Sequence, residues 1–308
     1  MPSIPARPTA LAWQVFRGSE AVRRGPLTSH QLRSSAWIRL RRDVYADARL
    51  DRDHALACRA AALQLPADAA IAGPSAAYLH GVEHAAGFSD DVHVIVPRDA
   101  GLRSQRGLRV HSIAAPHVTS PSAGAAAPDP PRTGPARAAW ETAVWLDPVR
   151  AVGIIDTLLA RGLTTYAALA DLARRNAERP GGRRARWVFD LADPAAPSPP
   201  ESHLRVRLVL AGLPRPVAQH PFRLPNGLVL HPDLAWPDYR VAVEYDGHWH
   251  ADADRLHADR RRLNQLVGAG WLVLHVTSRR LHGDFPGLLR EVRSALAARG
   301  WRPSRLAG

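Results

Sequence analysis

The most strand-like run in the chain carries an acid in its interior: Arg240-Val-Ala-Val-Glu-Tyr-Asp246. Val241 and Val243 call for burial, whereas an ionised Glu244 resists it unless it is paired or holds a cation. A fold that keeps this segment as a strand must therefore supply Glu244 with polar company. Alternation along a strand puts Glu244 and Asp246 on one face, and Gly247 lets the backbone turn closely behind them.

The surrounding pattern predicts a complete layered domain. Glu201–Ala211 reads as an amphipathic helix with Leu204, Leu208 and Ala211 on one side. Val217–His220 and Leu228–Ala235 are predicted strands, as is 240–246. Arg255–Ala269 reads as a helix stopped by Gly270, Trp271–Thr277 as an apolar strand, and Phe285–Ala298 as a closing helix. The order α-β-β-β-α-β-α, with helices flanking a central mixed sheet, belongs to the α/β class.

Two proline-rich stretches divide what precedes it. Residues 114–135 predict a long loop, and residues 193–200 (DPAAPSPP) a stiff interdomain linker. The expected organisation is an N-terminal module over 1–115, a helical connector over 116–197 and a C-terminal domain over 198–308. Within the first, Thr28 or Ser29 caps a short helix reaching about Ala36. Two β-prone runs follow, Trp37–Arg42 and Asp43–Ala46, suited to a basic hairpin. Asp51–Leu65 is a strong helix pattern, Pro74–His80 a short helix stopped by Gly81, and Val92–Pro97 and Leu108–His111 are strands. Residues 135–192 predict two to four helices, among them Pro148–Arg161 and Thr165–Asn176. Helix followed by hairpin is the order of a winged-helix-like α+β module.

Composition narrows the chemistry. All 41 basic residues are arginine, so a phosphate loop ending in lysine, a Schiff-base lysine and a lysine-dependent nuclease motif are excluded. Cys58 is the single cysteine, which excludes an internal disulfide and a multi-cysteine zinc site. No run of eighteen apolar residues is present to span a membrane, and Met1–Arg7 has no secretory pattern. The expected setting is cytoplasmic, with no membrane partner. The net charge of +13 is shared by both halves and is carried on planar forks suited to phosphate. It agrees with a nucleic-acid partner and equally with coding bias toward arginine.

Phosphodiester hydrolysis asks for carboxylates converging from different elements to hold a hard cation. Three acids lie in suitable order: Glu201 at the start of a helix, Asp233 in Leu228-Val-Leu-His-Pro-Asp-Leu-Ala235, and Glu244. Pro232-Asp233, followed eleven residues later by Glu244-Tyr245-Asp246, resembles the PD-(D/E)xK arrangement of restriction-endonuclease-like nucleases, with Asp246 where lysine is usual. Glu244-Tyr-Asp-Gly-His-Trp-His250, Asp259-Arg-Arg-Arg262 and Gly270-Trp-Leu-Val-Leu are similar to the very-short-patch repair (Vsr-like) endonuclease-domain family.

That resemblance covers about residues 198–283 and implies a Mg²⁺- or Mn²⁺-dependent DNA endonuclease on a restriction-endonuclease-like α/β sandwich. Asp233 and Glu244 would be the metal ligands, and His250 the general base or metal-water partner. Asp246 would orient His250 or bind metal. Glu201 would complete the acids or simply favour the helix start. Arg262 with Asp259 would brace the site or contact phosphate, or form a structural ion pair, with Arg260 and Arg261 on the DNA side. His248, His250 and His257 as a zinc site is a further reading. Residues 10–115, with Gly73-Pro-Ser-Ala-Ala-Tyr-Leu-His-Gly81, resemble AbiEi-type winged-helix antitoxin regulators, which implies DNA contact through Arg33, Arg39, Arg41 and Arg42. The alternative function is a non-catalytic DNA-binding regulator with a degenerate nuclease fold.

Overall fold

The computed structural model describes residues 7–113, 130–224, 227–246 and 264–303. The chain forms two compact units, Met1–Trp145 with Leu163–Ala185, and Leu146–Gly162 with Arg186–Gly308. The segment expected as a connector is shared between them.

The first unit opens with β1 (Val15–Arg17) and α1 (Gly18–Arg23), followed by the hairpin β2 (Trp37–Arg41) and β3 (Val44–Asp47). These strands make an antiparallel sheet in the order β1-β3-β2. Phe16, Leu27, Leu32 and Trp37 form its core, with Phe16 and Trp37 edge to face at 5.1 Å. The helix expected over 28–36 is one 3-10 turn, Gln31–Arg33. Its start is capped reciprocally. The Thr28 N–H donates to Gln31 Oε1 at 2.7 Å and the Gln31 N–H to Thr28 Oγ1 at 3.2 Å. It ends early because Ser34 is already extended and leads Trp37 into the sheet.

A second sheet follows, built from β4 (Ala70–Ile71), β5 (Val92–Pro97) and β6 (Leu108–Ile113) in the order β4-β5-β6, with β5 and β6 parallel. It packs with α2 (His54–Ala62), capped by Asp53, and α3 (Gly73–Leu79). Gly81, at φ 95°, ends α3 in the left-handed turn that glycine favours. Four helices fill residues 135–191: α4 (Pro135–Trp145), α5 (Pro148–Ala160), α6 (Tyr166–Arg175) and α7 (Gly182–Leu191). Of these α4 and α6 belong to the first unit, α5 to the second, and α7 crosses the division.

The second unit continues with α8 (Pro199–Leu210), β7 (Val217–Ala218), β8 (Phe222–Arg223), β9 (Val229–Leu230), β10 (Leu234–Trp236), β11 (Val241–Asp246), β12 (Leu272–Thr277), α9 (Ser278–Gly283) and α10 (Phe285–Ala298). Two expectations need correction. The proline linker ends at Ser198, because Pro199 and Pro200 form the first turn of α8, where a fixed φ and a missing N–H cost nothing. The single strand expected over Leu228–Ala235 is broken at Pro232, which has no N–H to give a ladder. Its first half pairs as β8–β9, and its second half joins the main sheet as β10.

That sheet is mixed, in the order β12-β11-β10-β7, with β11 and β12 parallel and the other pairs antiparallel. One face buries Val241, Val243 and Val276 against Leu204 and Leu208 of α8 and Leu288, Val292 and Leu296 of α10. The other buries Ala235 and Ala242 with Leu266 and Trp271. Among the described residues no helix is long and apolar enough to cross a membrane.

A fully buried ion pair fastens α5 to α8. Arg205 donates to Asp156 Oδ2 at 2.7 Å and to the Leu191 carbonyl at 2.5 Å, while the Asp193 N–H donates to Asp156 Oδ1 at 2.7 Å. Removing one partner strands the other charge in an apolar interior. Arg205→Ala is expected to lose about 3–5 kcal/mol of unfolding free energy, measured by urea denaturation, whereas truncating the exposed, unpaired Arg33 is expected to cost under about 0.5 kcal/mol.

Candidate functional site

Four polar residues gather at one end of the second unit's sheet. Leu234, the first residue of β10, lies opposite both Ala218 and Val243. Asp233, one residue before β10, and Gln219, one residue after β7, flank that end, and Glu244, which follows Val243 on β11, is paired with His275 of β12. Backbone contacts hold Asp233 there: the Gln219 N–H donates to its carbonyl at 3.1 Å and the Tyr245 N–H to its Oδ2 at 2.7 Å. The two acids expected to act together therefore lie on adjacent segments of the sheet, with Asp233 Oδ2 bonded to the backbone N–H that directly follows Glu244. Asp246, two residues beyond Glu244, faces the same way and accepts from His275 Nδ1 at 3.0 Å.

Glu201 reaches this end of the sheet from α8, which packs on the opposite face. Its Oε1 accepts from Ser198 Oγ at 2.7 Å. The Gln219 amide nitrogen joins it to Asp233, at 3.0 Å from Asp233 Oδ1 and 3.4 Å from Glu201 Oε2. Glu201 is only 8% exposed and Glu244 9%. Burial raises the Glu201 carboxyl to about 7; the Ser198 hydrogen bond opposes that shift and repulsion from Asp233 adds to it.

The residues brought together are thus Glu201, Asp233, Glu244 and Asp246. His250, Arg260, Arg261 and Arg262 lie outside the described residues, as do His248, His257 and Asp259. Two members of the site went unassigned in the sequence reading. His275 is the polar residue in the apolar run Trp271–Thr277, the same signal that singles out Glu244. Gln219 has no such signal, since its backbone φ of +50° and its bridging amide exist only in the folded chain. Among the described residues no group of three or more His, Cys, Asp or Glu side chains is arranged to hold a metal ion. Asp233 and Glu244 form a pair of hard oxygen donors, and Glu201 joins them through Gln219 without touching either.

In the first unit Arg33, Arg39 and Arg42 are exposed. Arg33 and Arg39 line an open cleft of about 870 Å³ with Arg23, Ser19, Trp37 and Tyr45. Arg41 departs from its expected place at a phosphate. It turns inward, donating to Gln64 Oε1 at 3.0 Å and to the Gly107 carbonyl at 3.1 Å, and burial lowers its pKa.

The chain is similar to two uncharacterized proteins of Mycobacterium tuberculosis, MT2308 of strain CDC 1551 / Oshkosh and Rv2248 of strain ATCC 25618 / H37Rv. Each is 29% identical over 251 residues, which cover 80% of this chain and 87% of the relative. No family model matches the chain, and no solved structure matches it.

The raised Glu201 carboxyl has a pH signature. A folded-state pKa above the unfolded value means stability is greatest below about pH 4.5 and is lost as pH rises through about 7, where the buried group is forced to ionise. Urea denaturation across pH 4–8 is expected to show a loss of up to about 3 kcal/mol in the wild type that is absent from Glu201→Gln.

Proposed function

We propose that the second unit is a divalent-metal-dependent DNA endonuclease. The observation that carries this reading is the gathering of acids at one end of the sheet, where Asp233 is tied to the backbone beside Glu244 and, through Gln219, to Glu201, next to the half-exposed Asp246–His275 pair. The spacing of these acids and their resemblance to the Vsr-like, PD-(D/E)xK pattern support the same reading.

The donors suit Mg²⁺ or Mn²⁺. They are hard oxygens, and Mg²⁺ commonly takes one or two carboxylates and completes its shell with water and substrate phosphate. Asp233 and Glu244 would hold it. Bound there, the ion would stabilise charge on the scissile phosphate and make bound water more acidic. The hydrolysis forms a bond from a water oxygen to phosphorus and breaks the bond to one ester oxygen, so the water must give up a proton.

His275 is the described group placed to take that proton. With its Nδ1–H donated to Asp246 Oδ2, the other ring nitrogen is left as an acceptor. Asp246 occupies the position where lysine is usual, and its imidazole partner restores a proton-bearing group there. The resemblance assigns this work to His250. In the first unit the exposed Arg33, Arg39 and Arg42 suit contact with the phosphate backbone, in keeping with the AbiEi-type, winged-helix-like reading of that module.

Incubation of the full chain with plasmid, mismatched and single-stranded DNA in Mg²⁺ or Mn²⁺ tests the reading. Cleavage is expected, and Asp233→Asn should reduce it at least ~100-fold, equivalent to the several kcal/mol a cation contributes, with DNA retention in gel shifts unchanged. Failure of the wild type to cut any of the three leaves the non-catalytic regulator. Arg33→Ala and Arg39→Ala are each expected to weaken DNA binding and lower its salt slope by about one. Arg41→Ala should instead lower the melting temperature.

A further inference from the structure

We infer that Gln219 is a positioning residue that ties Glu201 to Asp233 and competes with a divalent cation for Asp233. The inference rests on the nuclease reading above and concerns how its acids are kept in place when no cation neutralises them.

The backbone of Gln219 is fixed in a conformation that L side chains rarely adopt, φ +50°. Both of its backbone polar groups are engaged. The N–H donates to the Asp233 carbonyl at 3.1 Å, and the carbonyl accepts from His231 Nδ1 at 3.1 Å. The side chain is thereby directed at the acids, where one NH₂ group serves two carboxylates, Asp233 Oδ1 at 3.0 Å and Glu201 Oε2 at 3.4 Å. No other described side chain donates to both. Two half-buried carboxylates repel each other, and the positive end of the amide dipole lies between them.

The choice of residue type follows from this task. A permanent cation at this point would close the pair against a metal ion, and the chain has 41 arginines from which evolution could have drawn one. A third carboxylate would add to the repulsion. A neutral donor offers enough positive character to hold the pair, and it yields to a full charge. The amide hydrogen withdraws charge from the Asp233 oxygen that a cation would use and presents its own positive end to that cation, so each weakens the hold of the other.

Mn²⁺ binding to the full chain, followed by loss of the free-ion electron paramagnetic resonance signal, reads this competition without any turnover. Gln219→Met keeps the length and removes the donor. It is expected to bind Mn²⁺ roughly tenfold tighter, the ratio set by one charge-assisted hydrogen bond that no longer competes, while melting at a lower temperature in the absence of metal. Gln219→Glu, which replaces the competitor with a ligand, is expected to bind tighter still. Unchanged or weaker Mn²⁺ affinity in either folded variant overturns the inference, since a purely structural amide would have that effect. Asp233→Ala separates the two levels. If wild-type binding depends on Asp233 while the Gln219 variants match the wild type, only the role of Gln219 is lost. If wild-type Mn²⁺ binding is absent or indifferent to Asp233→Ala, the metal-dependent reading falls and takes this inference with it.

Discussion

Negative charge crowded at one end of a sheet is the condition the second unit is organised around. Asp233 is bonded to the backbone beside Glu244, Glu201 approaches from a helix, and Asp246 follows Glu244 on β11. Each would be destabilising alone in a half-buried setting. The fold answers with different partners: a backbone N–H and an amide for Asp233, a serine hydroxyl for Glu201, and an imidazole for Asp246. Among the described residues none of these three acids bonds to an arginine, although arginine is abundant elsewhere in the chain. A guanidinium would neutralise the site permanently, and neutral or titratable donors leave it open to an incoming charge.

Rigidity for this arrangement comes from beneath the sheet. Leu204 and Leu208 of α8 lie against Val241 and Val243, which fixes the helix that carries Glu201 relative to the strand that carries Glu244. Arg205, between those two leucines, is tied to Asp156 of α5 and to the backbone at Leu191. The buried ion pair is a costly way to join two helices, but it sets their register through directed bonds, which apolar contacts alone do not. The contrast within one unit is informative. The Asp156–Arg205 pair is sealed and structural, and Glu201, Asp233 and Asp246 at the site are held by neutral or titratable donors.

Much of this was legible in the residues. The acid inside an apolar, β-branched strand marked Glu244, and the period of Phe285–Ala298 defined the last helix to the residue, whereas Pro232 was passed over as the break between β9 and β10. Elements were missed where their signal is short or depends on partners. β1 has three residues and β4 two, too few to show alternation. Arg41 looked like its neighbours Arg39 and Arg42, and only packing sends it inward to Gln64 and Gly107. His275 carried the same polar-in-apolar signature as Glu244, but a histidine in a strand is unremarkable until an aspartate is found in hydrogen-bond reach.

The sequence by itself determined the α/β class, the order of the layers, the absence of lysine, of an internal disulfide and of a multi-cysteine zinc site, and the acids from which a site would be built. These follow from side-chain periodicity and residue type, which are properties of local chain. Only the tertiary structure decided that Asp233 is tied to the backbone beside Glu244, that Gln219 links Glu201 to Asp233, and that Asp246 meets His275. Those juxtapositions depend on strand register and on one left-handed residue. Register is chosen by which faces the whole sheet buries, a quantity that no single segment contains.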